Sequence, residues 1–354
     1  MKLLFIGYLH GFGGAEKQII KLANEMANRD HDVTLISLYK NNECYKIHEK
    51  VKKIHIPDKG KSILKIFNRY NNLRKKIKKI KPDIIINFWF QSAYLTAFMS
   101  KRYTGKLIYS ERGDPGDKEY DGILGIIRKI SFKKIDGFVF QTEIAKNYFD
   151  DKISKKSTVI HNPIMIKKGE YVIPEKREKR IVTVGRLHEQ KNHKFLINAF
   201  NEFSKKYEDY VLEIYGEGTL HDEIDKYINE LNLHDKVKLM GSKKNIFEYI
   251  LDSKMFILPS LYEGMPNSLL EAMSLGIPVI SYDYSPKKSV YEFIQDGVNG
   301  FVYESKNELL EKMEKIILDD NLANKISKNA TDICDKNSKE KIYDAWEKFF
   351  KERL

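Results

Sequence analysis

The sequence predicts an α/β protein of two domains, each built on an open parallel sheet, and three observations carry that expectation. The chain has 354 residues, more than one hydrophobic core usually organises, so two domains of roughly 150 to 180 residues follow. Short apolar runs rich in β-branched and aromatic residues alternate with helix-period segments, the pattern of a parallel sheet. The series then starts afresh near Arg180.

In order, the first series of strands is expected at 3–7, 33–38, 84–88, 107–109, 137–140 and 158–160, and the second at 180–185, 211–215, 237–240, 255–259 and 278–281. Residues 164–179 are charged, aperiodic and interrupted by Pro174, and read as the linker. The domains are expected over 1–168 and 178–337, with a ligand cleft between them, followed by a C-terminal helix over 338–354. Ile342, Tyr343, Trp346, Phe349 and Phe350 share one face of that helix, which is expected to pack back on the first domain.

Composition narrows the class. At 42% hydrophobic and 32% charged residues the chain is globular, and it has no uninterrupted apolar run of the ~18 to 20 residues that a membrane span needs. Residues 3–7 read as a buried strand rather than a signal peptide, since glycines and an amphipathic segment follow them. Cys44 and Cys334 form neither a disulfide framework nor a metal knuckle, which fits a reducing, cytoplasmic setting. Residues 1–170 hold 34 Lys+Arg against 18 Asp+Glu, a balance of +16, and the remainder 28 against 32, a balance of −4. Segment 52–81 is the source, with twelve cations opposed only by Asp58. Such a face suits an anionic membrane surface, and the stripe of Ile63, Leu64, Ile66, Phe67, Tyr70, Leu73, Ile77 and Ile80 fits an amphipathic helix lying on lipid. The bland alternative is a solvated helix. Nucleic acid is not expected, because no recognised binding motif accompanies the charge.

Chemistry is expected at the strand ends. After the first strand, Gly11, Gly13 and Gly14 precede a helix, where glycine lets a ligand approach the backbone and first-turn N–H groups favour an anion. Asp30-His31-Asp32 reads as a surface turn, not a metal site. Arg186 and Lys191 follow the first strand of the second series, at the carboxyl end where open sheets bind ligands, and suit a diphosphate. Gly216 and Glu217 belong to a glycine turn placed to line a base or ribose pocket. In residues 258–272, Gly264, Met265, Pro266 and Asn267 lead into a helix that Gly276 stops, with Glu263 just before it and Glu271 just inside. Acceptor-only carboxylates at fixed positions suit the paired hydroxyls of sugars and ribose.

These residues resemble the retaining GT-B glycosyltransferases of family 4 across essentially the whole chain, whose hallmark is two glutamates with seven residues between, here Glu263 and Glu271. The resemblance implies two Rossmann-like domains facing a central cleft. It further implies that Glu263 and the backbone after it hold donor-sugar hydroxyls, Glu271 the ribose, Arg186 with Lys191 the diphosphate, and Gly13 with Gly14 the glycine loop near diphosphate and acceptor. No metal site is implied, and no tightly bound cofactor beyond the nucleotide-sugar donor. One departure stands out. Where many relatives place a His near the reacting carbon, this chain has Tyr109-Ser-Glu-Arg-Gly-Asp-Pro115, a form similar to a subgroup building bacterial surface polysaccharides. Glu111 or Arg112 then takes that role, or the two form a structural ion pair. Asn162-Pro163 fits the family's exit from the first domain.

The resulting expectation is transfer of a hexose or N-acetylhexosamine, UDP-linked, to a glycan or polyprenyl-diphosphate acceptor by a peripheral protein at the inner membrane face. Arg186, Lys191, Glu263 and Glu111 are the catalytic candidates. A nucleotide-sugar epimerase and a non-catalytic partner of a glycosylation complex are the alternatives, since fold alone does not separate them.

Overall fold

The computed structural model describes residues 1–9, 14–38, 45–56, 62–99, 105–113, 115–116, 120, 122–283 and 289–354. The chain divides into two units, one comprising residues 1–162 and 340–354, the other 163–339.

The first unit runs β1 (Lys2–Gly7), α1 (Gly14–Asn28), β2 (Asp32–Ser37), β3 (Lys52–His55), α2 (Ser62–Ile80), β4 (Ile84–Asn87), α3 (Phe90–Ala97), β5 (Lys106–Ser110), α4 (Ile123–Phe132), β6 (Gly137–Phe140), α5 (Glu143–Asn147), α6 (Asp151–Ser154) and β7 (Ser157–Val159). Its seven strands are ordered β3-β2-β1-β4-β5-β6-β7, all parallel. Because β4 is wholly buried and β1 nearly so, both faces need cover, which the continuous apolar runs predict.

The second unit runs β8 (Glu178–Val184), α7 (His193–Phe203), β9 (Val211–Tyr215), α8 (His221–Glu230), β10 (Val237–Gly241), α9 (Phe247–Ile250), β11 (Ser253–Leu258), α10 (Asn267–Ser274), β12 (Val279–Tyr282), β13 (Phe301–Tyr303), α11 (Lys306–Leu318), α12 (Asp320–Ala330) and α13 (Ile333–Lys336). Its six parallel strands are ordered β10-β9-β8-β11-β12-β13. In each sheet the order reverses beside the first strand, between β1 and β4 and between β8 and β11. Such a switch point opens a crevice at the carboxyl ends.

The last helix, α14 (Lys339–Lys351), packs on the first unit as its apolar face predicts. Ile342, Tyr343, Trp346, Phe349 and Phe350 are buried with Leu3, Phe5 and Ile19. At roughly 2 kcal/mol per buried side chain the contact is worth on the order of 10 kcal/mol, and a Cβ on Gly137 would lie 2.9 Å from the Phe349 ring.

The expected linker, 164–179, falls within the second unit, where Ile164 and Ile166 are buried in the core. Segment 52–81 holds a strand as well as the expected helix: Lys52–His55 forms an edge strand with mostly exposed side chains. Lysines on an edge deter further pairing, so their charge conceals the strand from a reading by hydrophobicity. The stripe on α2 is also divided, because Leu73 and Ile77 are buried in the sheet core while Ile66 and Phe67 are exposed.

Candidate active site

In the second unit the switch point carries the expected residues. Past β8, Gly185 N–H donates to Tyr215 O at 2.9 Å and Leu187 N–H to Glu217 O at 3.0 Å, zipping together the loops after β8 and β9. The contact is too close for side chains. A Cβ on Gly216, whose φ is +146°, would lie 1.9 Å from Gly185 O, and one on Gly218 would lie 2.2 Å from Leu187 O. Glu217 is exposed, and its carboxylate accepts from Ser242 N–H at 3.3 Å.

Residues Glu189–Lys191 make a single 3₁₀ turn, and Asn192 adopts a left-handed conformation at φ 52° to enter α7. That turn brings Lys191 back over the strand end, where its stem lies 3.1 to 3.3 Å from where a Cβ of Gly185 would be. Lys191 Nζ reaches Glu263 Oε1 at 2.5 Å, the two side chains 15% and 9% exposed. Two further bonds join the same loops: Leu261 N–H donates to Gln190 O at 2.8 Å and Gln190 Nε2 to Tyr262 O at 2.7 Å. Arg186 beside them is exposed, and its guanidinium makes no hydrogen bond or ion pair among the described residues.

His193 is the first residue of α7. Its buried ring donates from Nε2 to Arg186 O at 3.2 Å, fixing the backbone that carries Arg186. Burial pulls its pKa down to about 4, against the opposing pull of that hydrogen bond and with help from the nearby Lys191 charge. At neutral pH it is a neutral donor. A lone His after Lys-Asn gives no periodic or motif cue to this role.

The glutamate loop ends as expected. Pro266 caps α10, Met265 is buried with Leu269 and Leu270 in the sheet-facing core, and Asn267 N–H turns back to Met265 O at 2.9 Å. Gly264 and Glu271 are half-buried. Gly276, at φ +66° and with Ile173 2.8 Å from where its Cβ would be, ends the helix.

In the first unit, Gly14 opens α1 with nothing within 4 Å of where its Cβ would be, while Gly13 lies outside the described residues. Glu111 is buried, and its carboxylate accepts from Tyr109 Oη at 2.8 Å, Arg112 N–H at 3.0 Å and Gly113 N–H at 3.1 Å. The Glu111–Arg112 ion pair does not form. Arg112 instead lies over the rings of Phe88 (4.1 Å) and Trp346 (5.6 Å) and donates from Nη1 to Asn162 Oδ1 at 2.8 Å. The Gln141 amide, oriented to satisfy both ends, accepts from Arg112 Nη1 at 3.3 Å and Asn162 Nδ2 at 2.8 Å. Burial lowers the Arg112 pKa to about 9, with Glu111 and Tyr109 opposing, so the group stays charged at neutral pH. The trio comes from the carboxyl ends of β5, β6 and β7, the side of the sheet where ligands bind. The Asp30 turn pairs with lysines, Asp30 with Lys50 at 2.9 Å and Asp32 with Lys52 at 2.7 Å.

Residues 167–333 match the family model described as Glycosyl transferases group 1, and residues 12–168 the model described as Glycosyltransferase Family 4. An uncharacterized glycosyltransferase of Methanocaldococcus jannaschii is 30% identical over 263 residues, 66% of this chain and 65% of that protein. A Campylobacter jejuni protein, named GalNAc-alpha-(1->4)-GalNAc-alpha-(1->3)-diNAcBac-PP-undecaprenol alpha-1,4-N-acetyl-D-galactosaminyltransferase, is 24% identical over 361 residues, covering 99% of both chains. The solved structure of Anabaena HepE in complex with UDP matches with a TM-score of 0.84 at 16% identity, covering 99% of this chain and 100% of that one, a likeness of fold.

Proposed function

We propose that this chain, which belongs to the group 1, family 4 glycosyltransferases of GT-B fold, is a retaining enzyme of surface-polysaccharide assembly. Membership makes it a glycosyltransferase that takes its sugar from a nucleotide donor. The finer reading is transfer of a hexose or N-acetylhexosamine from a UDP-sugar to a glycan or polyprenyl-diphosphate-linked acceptor. UDP is supported by the Anabaena complex, and the lipid-linked acceptor by the name of the Campylobacter relative.

The observation that carries the reading is the Lys191–Glu263 pair beside Arg186 at the β8–β11 switch point. In this reading the donor diphosphate lies against Arg186 and Lys191, whose charges stabilise it as it leaves. Glu263 and the backbone of residues 264–267 take sugar hydroxyls, Glu271 the ribose, and Gly216 with Glu217 border the base. Lys191 is already held by Glu263, so the two act as one unit that touches both sugar and phosphate. The acceptor hydroxyl attacks from the face the diphosphate leaves and gives its proton to the departing phosphate, so the anomeric configuration is retained. Glu111 orders the acceptor-side loop by its hydrogen bonds. A lipid-linked acceptor sets the work at the inner membrane face, with the exposed Arg74, Lys75, Lys76 and Lys79 of α2 available to anionic lipid.

Thermal unfolding with UDP-, GDP- and ADP-sugars tests this, because a ligand that binds the native state raises the melting temperature. A rise with UDP-sugars, lost in Glu271→Ala and Arg186→Ala, is expected. No rise with any donor in folded protein refutes the donor site, and an inverted product linkage by NMR refutes the retaining course.

A further inference from the structure

Helix α4 presents an apolar stripe to solvent that the donor chemistry does not use. Ile123, Ile126 and Ile130 are 76%, 59% and 45% exposed, and their spacing of three and four residues places them on one face. Lys129 and Lys133, both exposed, continue that face. Beside the helix is a cavity of about 800 Å³ lined by aromatic rings including Phe132, Tyr148 and Phe149, and by Lys152 and Lys155. Arg128 also lines it. The Arg128 side chain is 7% exposed; Nη1 donates to Pro115 O at 2.8 Å, the buried Nη2 has no hydrogen-bond partner among the described residues, and the guanidinium lies over the rings of Tyr120 at 4.0 Å and Phe149 at 4.8 Å. Among the described residues that line the cavity, six are Lys or Arg and one, Asp150, is acidic.

The combination selects an occupant. Protein-interface cores are depleted in lysine, and single-stranded nucleic acid is gripped by stacking on aromatics rather than by a stripe of isoleucines. Isoleucines in line with lysines match a bilayer surface, where the apolar chains enter the acyl region and the ammonium groups reach back to phosphates. The positive balance fits a leaflet of anionic lipid.

We infer that α4 and the cavity beside it dock this chain on an anionic bilayer, with Ile123, Ile126 and Ile130 among the acyl chains and lipid phosphates at Lys129, Lys133 and Lys155. This contact is separate from the basic helix α2 and does not depend on which sugar is transferred.

Co-sedimentation with phosphatidylcholine vesicles, with or without about 30 mol% phosphatidylglycerol, tests it. The wild type is expected to sediment with the anionic vesicles and not the neutral ones. The triple change Ile123→Gln, Ile126→Gln, Ile130→Gln is expected to reduce partitioning about tenfold or more at an unchanged melting temperature, and Lys129→Gln with Lys133→Gln to reduce it in a salt-sensitive way. Independently, the emission of Ile126→Trp is expected to shift to the blue on anionic vesicles. The inference is overturned if the wild type ignores these vesicles, if the folded triple variant sediments undiminished, or if Ile126→Trp shows no shift. It also fails if only the change of Lys75, Lys76, Lys78 and Lys79 to Gln abolishes binding, or if the triple change instead splits a dimer of this chain.

Discussion

Lys191 and Glu263 lie seventy-two residues apart in sequence and meet at 2.5 Å, each mostly shielded from water, with the lysine stem over Gly185, the glycine that follows β8. A shielded pair loses far more when one partner goes than when both go, because the remaining charge is left unmatched. Lys191→Ala is therefore expected to lower unfolding free energy by about 2 to 3 kcal/mol, and adding Glu263→Gln to recover part of that loss. Urea midpoints for the double-mutant cycle measure it. In transfer assays, Glu263→Gln alone is expected to reduce kcat on the order of a hundredfold.

Gly216→Ala is expected to destabilise the second unit by roughly 3 kcal/mol, through both the clash with Gly185 O and the unfavourable φ. Because the displaced strand end carries Arg186, donor-induced thermal stabilisation should vanish with it. Full stabilisation by donor in this variant would disprove the coupling.

His193 makes stability depend on pH. Its folded pKa of about 4 lies below the ordinary 6.5, so between those values the unfolded chain binds more protons, and stability falls as pH drops through that window. The loss approaches about 3 kcal/mol once both forms are protonated. His193→Gln, which keeps a donor for Arg186 O, is expected to flatten the dependence between pH 7 and 4 in denaturant titrations.

Arg112→Lys is expected to weaken the acceptor-side loop without unfolding the unit, because an ammonium lacks the planar fork that lies on Phe88 and Trp346 while reaching Asn162. The expected signature is a raised acceptor KM with donor binding unchanged. A change confined to donor affinity would contradict the assignment of this loop.

Removal of residues 340–354 strips five buried side chains from the first unit. Their burial, of order 10 kcal/mol, is comparable to the whole stability of a domain. The truncated chain is expected to lose the first unit's cooperative unfolding transition while retaining the second's, as read by calorimetry.

The elements legible from sequence were those whose pattern is local. Buried parallel strands such as β1 and β4 announce themselves as apolar runs, and α14 as a one-sided face. The edge strand β3 was hidden by its lysines, and β13, three residues directly after the turn that ends at Gly300, was passed over. At the site, residue identity pointed to Arg186, Lys191 and Glu263, while the reasons for their placement are non-local. Gly216 is required by the backbone of Gly185, Arg112 is flanked by a tryptophan from the far end of the chain, and His193 acts on a carbonyl seven residues before it.

That the first unit is assembled from residues 1–162 and 340–354 has a consequence for biosynthesis. The second unit is one uninterrupted stretch and is free to fold as it leaves the ribosome. The first must wait, with the hydrophobic surface destined for Trp346 and Phe350 uncovered, while the intervening 163–339 are translated. At about 5 to 20 residues per second this is roughly 10 to 35 s. Over that interval the nascent chain is a natural client for a chaperone, and ribosome-stalled chains ending before residue 340 should be captured where full-length ones are not.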